Sequence, residues 1–175
     1  MTMNLKFEGV FPANPTPYKD GKILEEALRG IFEDNISHGV NGFWVAGSTG
    51  EGPILNDSQR ETVARITGES CNGRGISIMH VGAISTQSSI KGAKAAYDSG
   101  CDAICCVPPF FYTQDDDGVV EHYQAVASVS DLPFFIYNLD NCFPTPQTSP
   151  IGNFLSFSSI FSFKYITPVF SFLAI

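Results

Sequence analysis

Phe43-Trp44-Val45-Ala46, followed by Gly47-Ser48-Thr49-Gly50-Glu51-Gly52, reads as a buried strand that ends in a glycine-rich turn, with a helical pattern beyond it. Glycine admits positive φ and close backbone approach, and successive N–H groups in such a turn form a concavity for a small anion. The hydroxyls of Ser48 and Thr49 add to it, so a carboxylate fits there as well as a phosphate. The glycine order is not the G-x-G-x-x-G of dinucleotide sites, and no lysine completes a P-loop. A strand-to-helix turn that is merely tight carries the same residues.

Outward from this turn, short apolar runs recur at Phe7–Phe11, Ile76–Val81, Ala103–Val107, Phe134–Tyr137 and Ile160–Phe163, and helical patterns fill the intervals. This is βαβα alternation. Leu24, Leu28 and Ile31 mark one helical stripe ending at Gly39; Ile90, Ala93 and Tyr97 mark another before Gly100; Val119, Tyr123 and Val126 mark a third before Asp131-Leu132-Pro133. The strands are continuous apolar runs, as parallel strands buried on both faces require. Two closures use such units. A doubly wound sheet of five or six strands is complete at 175 residues, whereas a (β/α)₈ barrel takes roughly 250, so length favours the sheet and periodicity does not decide.

Composition suits one domain, residues 1–175, with 43% hydrophobic and 16% charged residues. A net charge of −8 argues against nucleic acid and offers no basic face to anionic lipid. The N-terminus shows no apolar signal core, which points to the cytoplasm. Cys71, Cys101, Cys105, Cys106 and Cys142 form no C-x-x-C pair, so reduced buried thiols are expected rather than disulfides or zinc. Residues 147–175 differ from the rest: six Phe, six Ser and a single charge, Lys164, leave the expected helix without a charged outer face. Scattered Ser, Lys164 and Pro168 exclude a membrane span there.

In either closure the C-terminal strand ends share one face, where α/β proteins place their sites. Ser48, Thr49, His80, Pro108–Tyr112, Tyr137 and Lys164 stand at those ends. A lysine between Phe163 and Tyr165 loses hydration, which lowers an amine pKa and frees the neutral nucleophile for an imine, and a tyrosine hydroxyl nearby can shuttle protons. A solvated Lys164 and a half-buried, packed Tyr137 are the plainer alternatives. His38, His80 and His122 make no metal motif, although His80 at a strand end is placed to line a pocket. Asp115-Asp116-Asp117 reads as a helix cap. No metal or cofactor is expected.

Together these residues resemble the N-acetylneuraminate lyase and dihydrodipicolinate synthase family of pyruvate-dependent class I aldolases. The resemblance runs through Gly9-Val10-Phe11-Pro12, Thr16-Pro17-Tyr18, Asp20-Gly21, Gly47-Ser48-Thr49-Gly50-Glu51, His80-Val81-Gly82-Ala83, Pro109-Phe110-Phe111, Tyr137-Asn138 and Phe163-Lys164. It covers residues 8–140 well and the tail poorly. It implies a (β/α)₈ TIM barrel in place of the open sheet, cut at its C-terminal side to about six βα units, and a homotetramer for the intact protein. It also implies that Lys164 forms the Schiff base with pyruvate, that Tyr137 is the catalytic tyrosine, and that Ser48 and Thr49 hold the pyruvate carboxylate.

Within the family the residues resemble the sialic-acid lyase branch. The synthases carry an arginine five residues after the tyrosine, where this chain has Cys142, and a tyrosine where it has Phe111. The expected reaction is cleavage of a sialic acid to pyruvate and N-acetylmannosamine. The alternatives are another pyruvate aldolase of the synthase kind, and an inactive fragment. A barrel open at two strand edges exposes interior side chains to other chains, so the expectation for the 175-residue protein is aggregation and background lyase turnover. A coupled pyruvate assay and size-exclusion chromatography check this, and monodisperse protein with robust turnover contradicts it.

Overall fold

The computed structural model describes residues 7–112 and 114–137. A two-stranded antiparallel hairpin, β1 (Tyr18–Lys19) and β2 (Lys22–Ile23), precedes a repeating βα arrangement: α1 (Glu25–Ser37), β3 (Gly42–Val45), α2 (Asp57–Cys71), β4 (Ile76–His80), α3 (Thr86–Asp98), β5 (Ala103–Cys106), α4 (Asp116–Ala127) and β6 (Phe134–Ile136). Strands β3, β4, β5 and β6 form one parallel sheet in that order, each beside its successor. Gly42 pairs with Ile76, Ile78 with Ala103, and Ile104 with Phe134. Among the described residues no helix is long and apolar enough to cross a membrane.

Each helix starts where its first N–H groups find acceptors. Asn56 caps α2 in a reciprocal capping box, its side chain accepting from the Gln59 N–H at 2.9 Å while the Gln59 side chain accepts from the Asn56 N–H at 2.8 Å. Ser85 caps α3, and Asp115 caps α4 by accepting from the Gly118 N–H at 2.9 Å, which bears out the capping reading of the acidic triplet.

The apolar stripes match expectation in α4, where Val119, Tyr123 and Val126 are buried, and shift in the other two helices. Leu24 precedes α1 and is exposed, so the buried stripe is Leu28 and Phe32. Tyr97 is also exposed, and α3 instead buries Ser89, Gly92, Ala93 and Ala96. Small residues let α3 lie close on the sheet: a Cβ on Gly92 would sit 3.4 Å from that of Val81.

Residues 7–14 replace the first expected strand with a broken ladder along β3. Val10 and Pro12 accept from Gly42 and Trp44, and the Asn14 N–H donates to the Trp44 carbonyl, but only Ala13 forms a bridge. The rung from position 12 back to Gly42 requires an N–H that proline lacks. The hairpin at Asp20 (φ 50°) and Gly21 (φ 77°) was unforeseen, although Asp-Gly is the pair such a two-residue turn demands. The expected Ile160–Phe163 strand lies outside the described residues.

Both faces of the sheet are covered. Phe43, Val45, Met79, Ile104, Cys106, Phe134 and Ile136 pack against the helices, while Ile78, Ala103, Cys105 and Phe135 form an inner cluster with Phe7, Phe11, Trp44, Ile76 and Tyr137. The inner rings determine the shape of the sheet. Four strand steps separate residues 7–14 from β6, about 19 Å in a flat sheet, yet Phe7 and Phe135 meet edge to face with ring centroids 5.0 Å apart. Trp44 also reaches Phe135 at 5.9 Å. Only a sheet curled around its inner face brings those side chains together, which is barrel curvature and excludes the open doubly wound alternative.

Gly42 shows how tightly this wall is drawn: a Cβ there would lie 2.2 Å from the Phe11 ring and 2.4 Å from the Ile76 carbonyl oxygen. Gly42→Ala should therefore cost about 1–3 kcal/mol through forced backbone shifts, read as a lower urea midpoint. An unchanged midpoint would contradict the close packing of the first segment on β3.

Candidate active site

The C-terminal end of β3 leads into a corner with unusual backbone. Ala46 (φ 54°) and Glu51 (φ 53°) both occupy the left-handed region, which costs a side-chain-bearing residue roughly 1–2 kcal/mol. Between them the chain folds back on itself, the Glu51 N–H donating to the Ser48 carbonyl at 3.1 Å and the Gly52 N–H to that of Gly47 at 3.0 Å. A Cβ on Gly52 would come within 1.8 Å of the Ala46 oxygen, and one on Gly50 within 2.8 Å of the Ala46 nitrogen. The glycines are there for close approach, because neither has positive φ. The Thr16 hydroxyl clamps the turn from outside by donating to the Gly50 carbonyl at 2.6 Å.

Ser48 and Thr49 project from this turn and are exposed. Among the described residues no hydrogen bond uses either hydroxyl or the N–H groups of Ser48, Thr49 and Gly50. A turn stiffened from within thus leaves the donors of the exposed Ser48 and Thr49 open, the arrangement a small-anion site uses.

Two other expected positions come to the same barrel end. Tyr137 follows β6, half-buried, its N–H bonded to the Cys106 carbonyl at 2.9 Å and its ring 6.1 Å from that of Trp44. His80 closes β4 on the inner face, paired with Cys105, and its ring stands edge-on to Tyr137 at 6.4 Å. It is 4% exposed. Burial, reinforced by the nearby Arg60 charge, lowers its pKa to about 4, while the Ala46 backbone pulls the other way. The imidazole is therefore neutral near pH 7. Lys164 lies outside the described residues, as does Cys142.

Behind the site, a buried polar group fixes the next loop. Arg60 of α2 donates to the Gly82 carbonyl at 2.8 Å, and burial lowers its pKa. His122 of α4 bonds the Thr86 hydroxyl through Nδ1 at 2.9 Å and contacts the Cys106 sulfur through Nε2 at 3.4 Å, so it ties α4 to α3 and β5. His38 is exposed beside Asp34. Burial pushes the thiols of Cys71, Cys101 and Cys106 up to about 12 and that of Cys105 well up, so these four are reduced, inert packing groups as expected.

Sequence reasoning missed Asn14 and Arg60, both buried, and gave Thr16 no role. Asn14 and Thr16 sit in an Asn-Pro-Thr-Pro run that reads only as irregular chain, and a buried arginine on a helix looks like any surface cation.

The dihydrodipicolinate synthetase family model matches residues 6–165. The chain belongs to this family. It is 38% identical over 133 residues to the N-acetylneuraminate lyase of Citrobacter koseri and 35% identical over 133 residues to the 4-hydroxy-tetrahydrodipicolinate synthase of Bdellovibrio bacteriovorus, alignments that cover 75% and 76% of this chain. They cover 45% of each relative, so the chain spans a little under half their length. Its structure is similar to the Ruminococcus gnavus sialic acid aldolase, with a TM-score of 0.81 at 26% identity over 87% of this chain and 51% of that one. The Aquifex aeolicus dihydrodipicolinate synthase gives 0.74 at 30% identity, over 79% and 47%. The architecture is accordingly that of the matching part of a (β/α)₈ barrel.

The buried, neutral His80 has a consequence for stability. In the unfolded chain it takes a proton near pH 6.5, and in the folded chain only near 4. The unfolded state binds more protons between those values, so stability present at pH 7 declines as pH falls through that window. A loss of roughly 2–3 kcal/mol is expected between pH 7 and 4.5, measured by urea unfolding. His122, also lowered, adds in the same direction. His80→Gln should flatten the profile, and a variant as steep as the parent would assign the loss elsewhere.

Proposed function

We propose that this chain carries the keto-acid half of a class I aldolase site and that the intact protein cleaves a sialic acid to pyruvate and N-acetylmannosamine. The observation that carries the reading is the outward-facing, unpaired donor set of Ser48 and Thr49 on a rigid corner that shares a barrel end with Tyr137. In this reading Ser48 and Thr49 hold the substrate carboxylate, which orients the adjoining ketone. The neutral amine of Lys164 attacks that carbonyl carbon, and the oxygen leaves as water with a proton from the Tyr137 hydroxyl, giving the iminium and a phenolate. The C3–C4 bond then breaks, its electrons flow to the iminium nitrogen as an enamine, and the C4 hydroxyl proton returns to the Tyr137 phenolate. Protonation at C3 and hydrolysis return Lys164 and release pyruvate. Lys164 and Tyr137 both fall within the residues that match the family model.

The second reading, a synthase that condenses pyruvate with aspartate semialdehyde, draws on relatives of that name at nearly the same identity. Cys142 favours the lyase, because a second carboxylate calls for a bidentate guanidinium that a thiol does not offer. We further propose a homo-oligomer in the cytoplasm. The exposed pair Phe111 and Tyr112 supports a protein contact, and the four buried thiols suit a reducing compartment.

Borohydride reduction with pyruvate, followed by peptide mass spectrometry, should place the adduct on Lys164 and not on Lys91 or Lys94. Labelling spread over surface lysines would defeat the assignment and leave the inactive-fragment reading. In protein of full family length, Tyr137→Phe should still trap pyruvate but lose cleavage by about 10²–10⁴-fold. In protein of full family length, faster condensation with aspartate semialdehyde than cleavage of N-acetylneuraminate would establish the synthase reading.

A further inference from the structure

We propose that Thr16 is a positioning residue for the keto-acid site: its hydroxyl locks the peptide between Gly50 and Glu51 against flipping, and so keeps the turn that carries Ser48 and Thr49 in the form that meets a carboxylate. The inference rests on the reading of that turn as a carboxylate site.

The peptide between Gly50 and Glu51 is held at both of its polar groups. Its carbonyl accepts from the Thr16 hydroxyl at 2.6 Å, and its N–H donates to the Ser48 carbonyl at 3.1 Å. Glu51 follows at φ 53°, a conformation that a side-chain-bearing residue keeps only where its surroundings over-determine it. Turning this peptide over would release Glu51 from the left-handed region, but it would also part the Glu51 N–H from Ser48 and the Gly50 carbonyl from Thr16. Among the described residues, the Thr16 bond is the one hydrogen bond that ties residues 47–52 to an earlier segment of the chain. The others close within the turn or pass to the residues just after it.

The segment that supplies this hydroxyl is stiff. Thr16 is half-buried and stands between Pro15 and Pro17. Pro15 fixes its own φ, and Pro17 confines Thr16 to extended backbone. Both ends of the segment are tied, the Asn14 N–H donating to the Trp44 carbonyl at 3.0 Å and the Leu24 N–H to the Pro17 carbonyl at 2.8 Å. Gly50 is buried against the same segment, since a Cβ on it would lie 3.0 Å from the Asn14 carbonyl oxygen.

Electrostatics links the lock to binding. An anion cradle consists of N–H groups and hydroxyls, and a carbonyl oxygen turned into it would repel the charge. With its oxygen bonded to Thr16, the Gly50 carbonyl is directed at the first segment, while the N–H groups of Ser48, Thr49 and Gly50 stay open.

The test compares Thr16→Val, which keeps the shape and removes the hydroxyl, with Thr16→Ser, which keeps the hydroxyl, in the 175-residue protein. Hydrogen exchange by mass spectrometry follows the peptide spanning residues 47–55, and borohydride trapping across a pyruvate series separates half-saturation from the rate at saturation. Thr16→Val should speed exchange in that peptide and raise half-saturating pyruvate, each about five- to tenfold, as expected for loss of one hydrogen bond. Exchange in α2 and α3 and the saturated trapping rate should stay near parental values, and Thr16→Ser should follow the parent in every readout. Unaltered exchange at the turn in Thr16→Val, unaltered half-saturation, faster exchange throughout the protein, or a Ser variant that behaves like Val would each overturn the proposal. A parent that traps no pyruvate would instead defeat the carboxylate reading, and the site role of Thr16 with it; the exchange comparison then decides by itself whether Thr16 locks the peptide.

Discussion

The left-handed backbone at Ala46 is the constraint on which the site depends. Here the chain leaving β3 enters the left-handed region at Ala46 and folds back through residues 47–52, with Ser48 and Thr49 exposed on the turn. The turn cannot be relaxed by one substitution, because Gly50 and Gly52 occupy space that any side chain would share with Ala46. The strain is offset by specific contacts, from Thr16 and the turn's own N–H groups. A donor set that is already in place spends no binding energy on being organised, which is the advantage of storing strain at a site.

That corner needs a stiff base, and burial of the sheet on both faces supplies it. Phe43, Val45 and Met79 face the helices while Trp44 and Ile78 face the interior, so a rotation of β3 or β4 would disturb two packed layers together. Several polar groups inside this wall have partners, although Asn14 Nδ2, Arg60 Nε and His80 Nδ1 have none among the described residues. Ser77 and Asp102 bond each other at 2.8 Å where β4 and β5 begin, and Arg60 and His122 pin the loops where those strands end. The exposed ion pairs, such as Arg65 with Glu25 and Lys94 with Asp98, contribute little by comparison, since solvent screens them and each orders two long side chains.

The parts of the fold that were legible in the sequence are those where one physical demand acts alone. Runs such as Gly42–Val45 and Ala103–Cys106 are apolar throughout because both faces are covered, and Asp115 marks a helix start because N–H groups need acceptors there. Legibility failed where two demands compete. Phe7–Phe11 has strand composition, but Pro12 removes a rung of its ladder. The Ile90, Ala93 and Tyr97 stripe has helical spacing and holds at Ala93, but Tyr97 is exposed and close approach to Val81 falls to Gly92. Closure was invisible to periodicity, because curvature shows only when Phe7 and Phe135 are seen to touch. At the site, Ser48, Thr49 and Tyr137 could be named from motif and position, whereas Asn14, Thr16 and Arg60 act through contacts that no local pattern announces.

The near-equal likeness to lyases and synthases follows from which surfaces these residues build. The described end of the barrel carries Ser48, Thr49 and Tyr137, which in the proposed reading face the part of a substrate that the lyase and synthase reactions share. Selection on those positions favours one geometry whatever the second reactant, so identity across them does not distinguish the two chemistries. Discrimination between a neutral amino sugar and a charged semialdehyde is a difference in contacts to the second reactant, and a missing guanidinium is worth more to it than overall similarity.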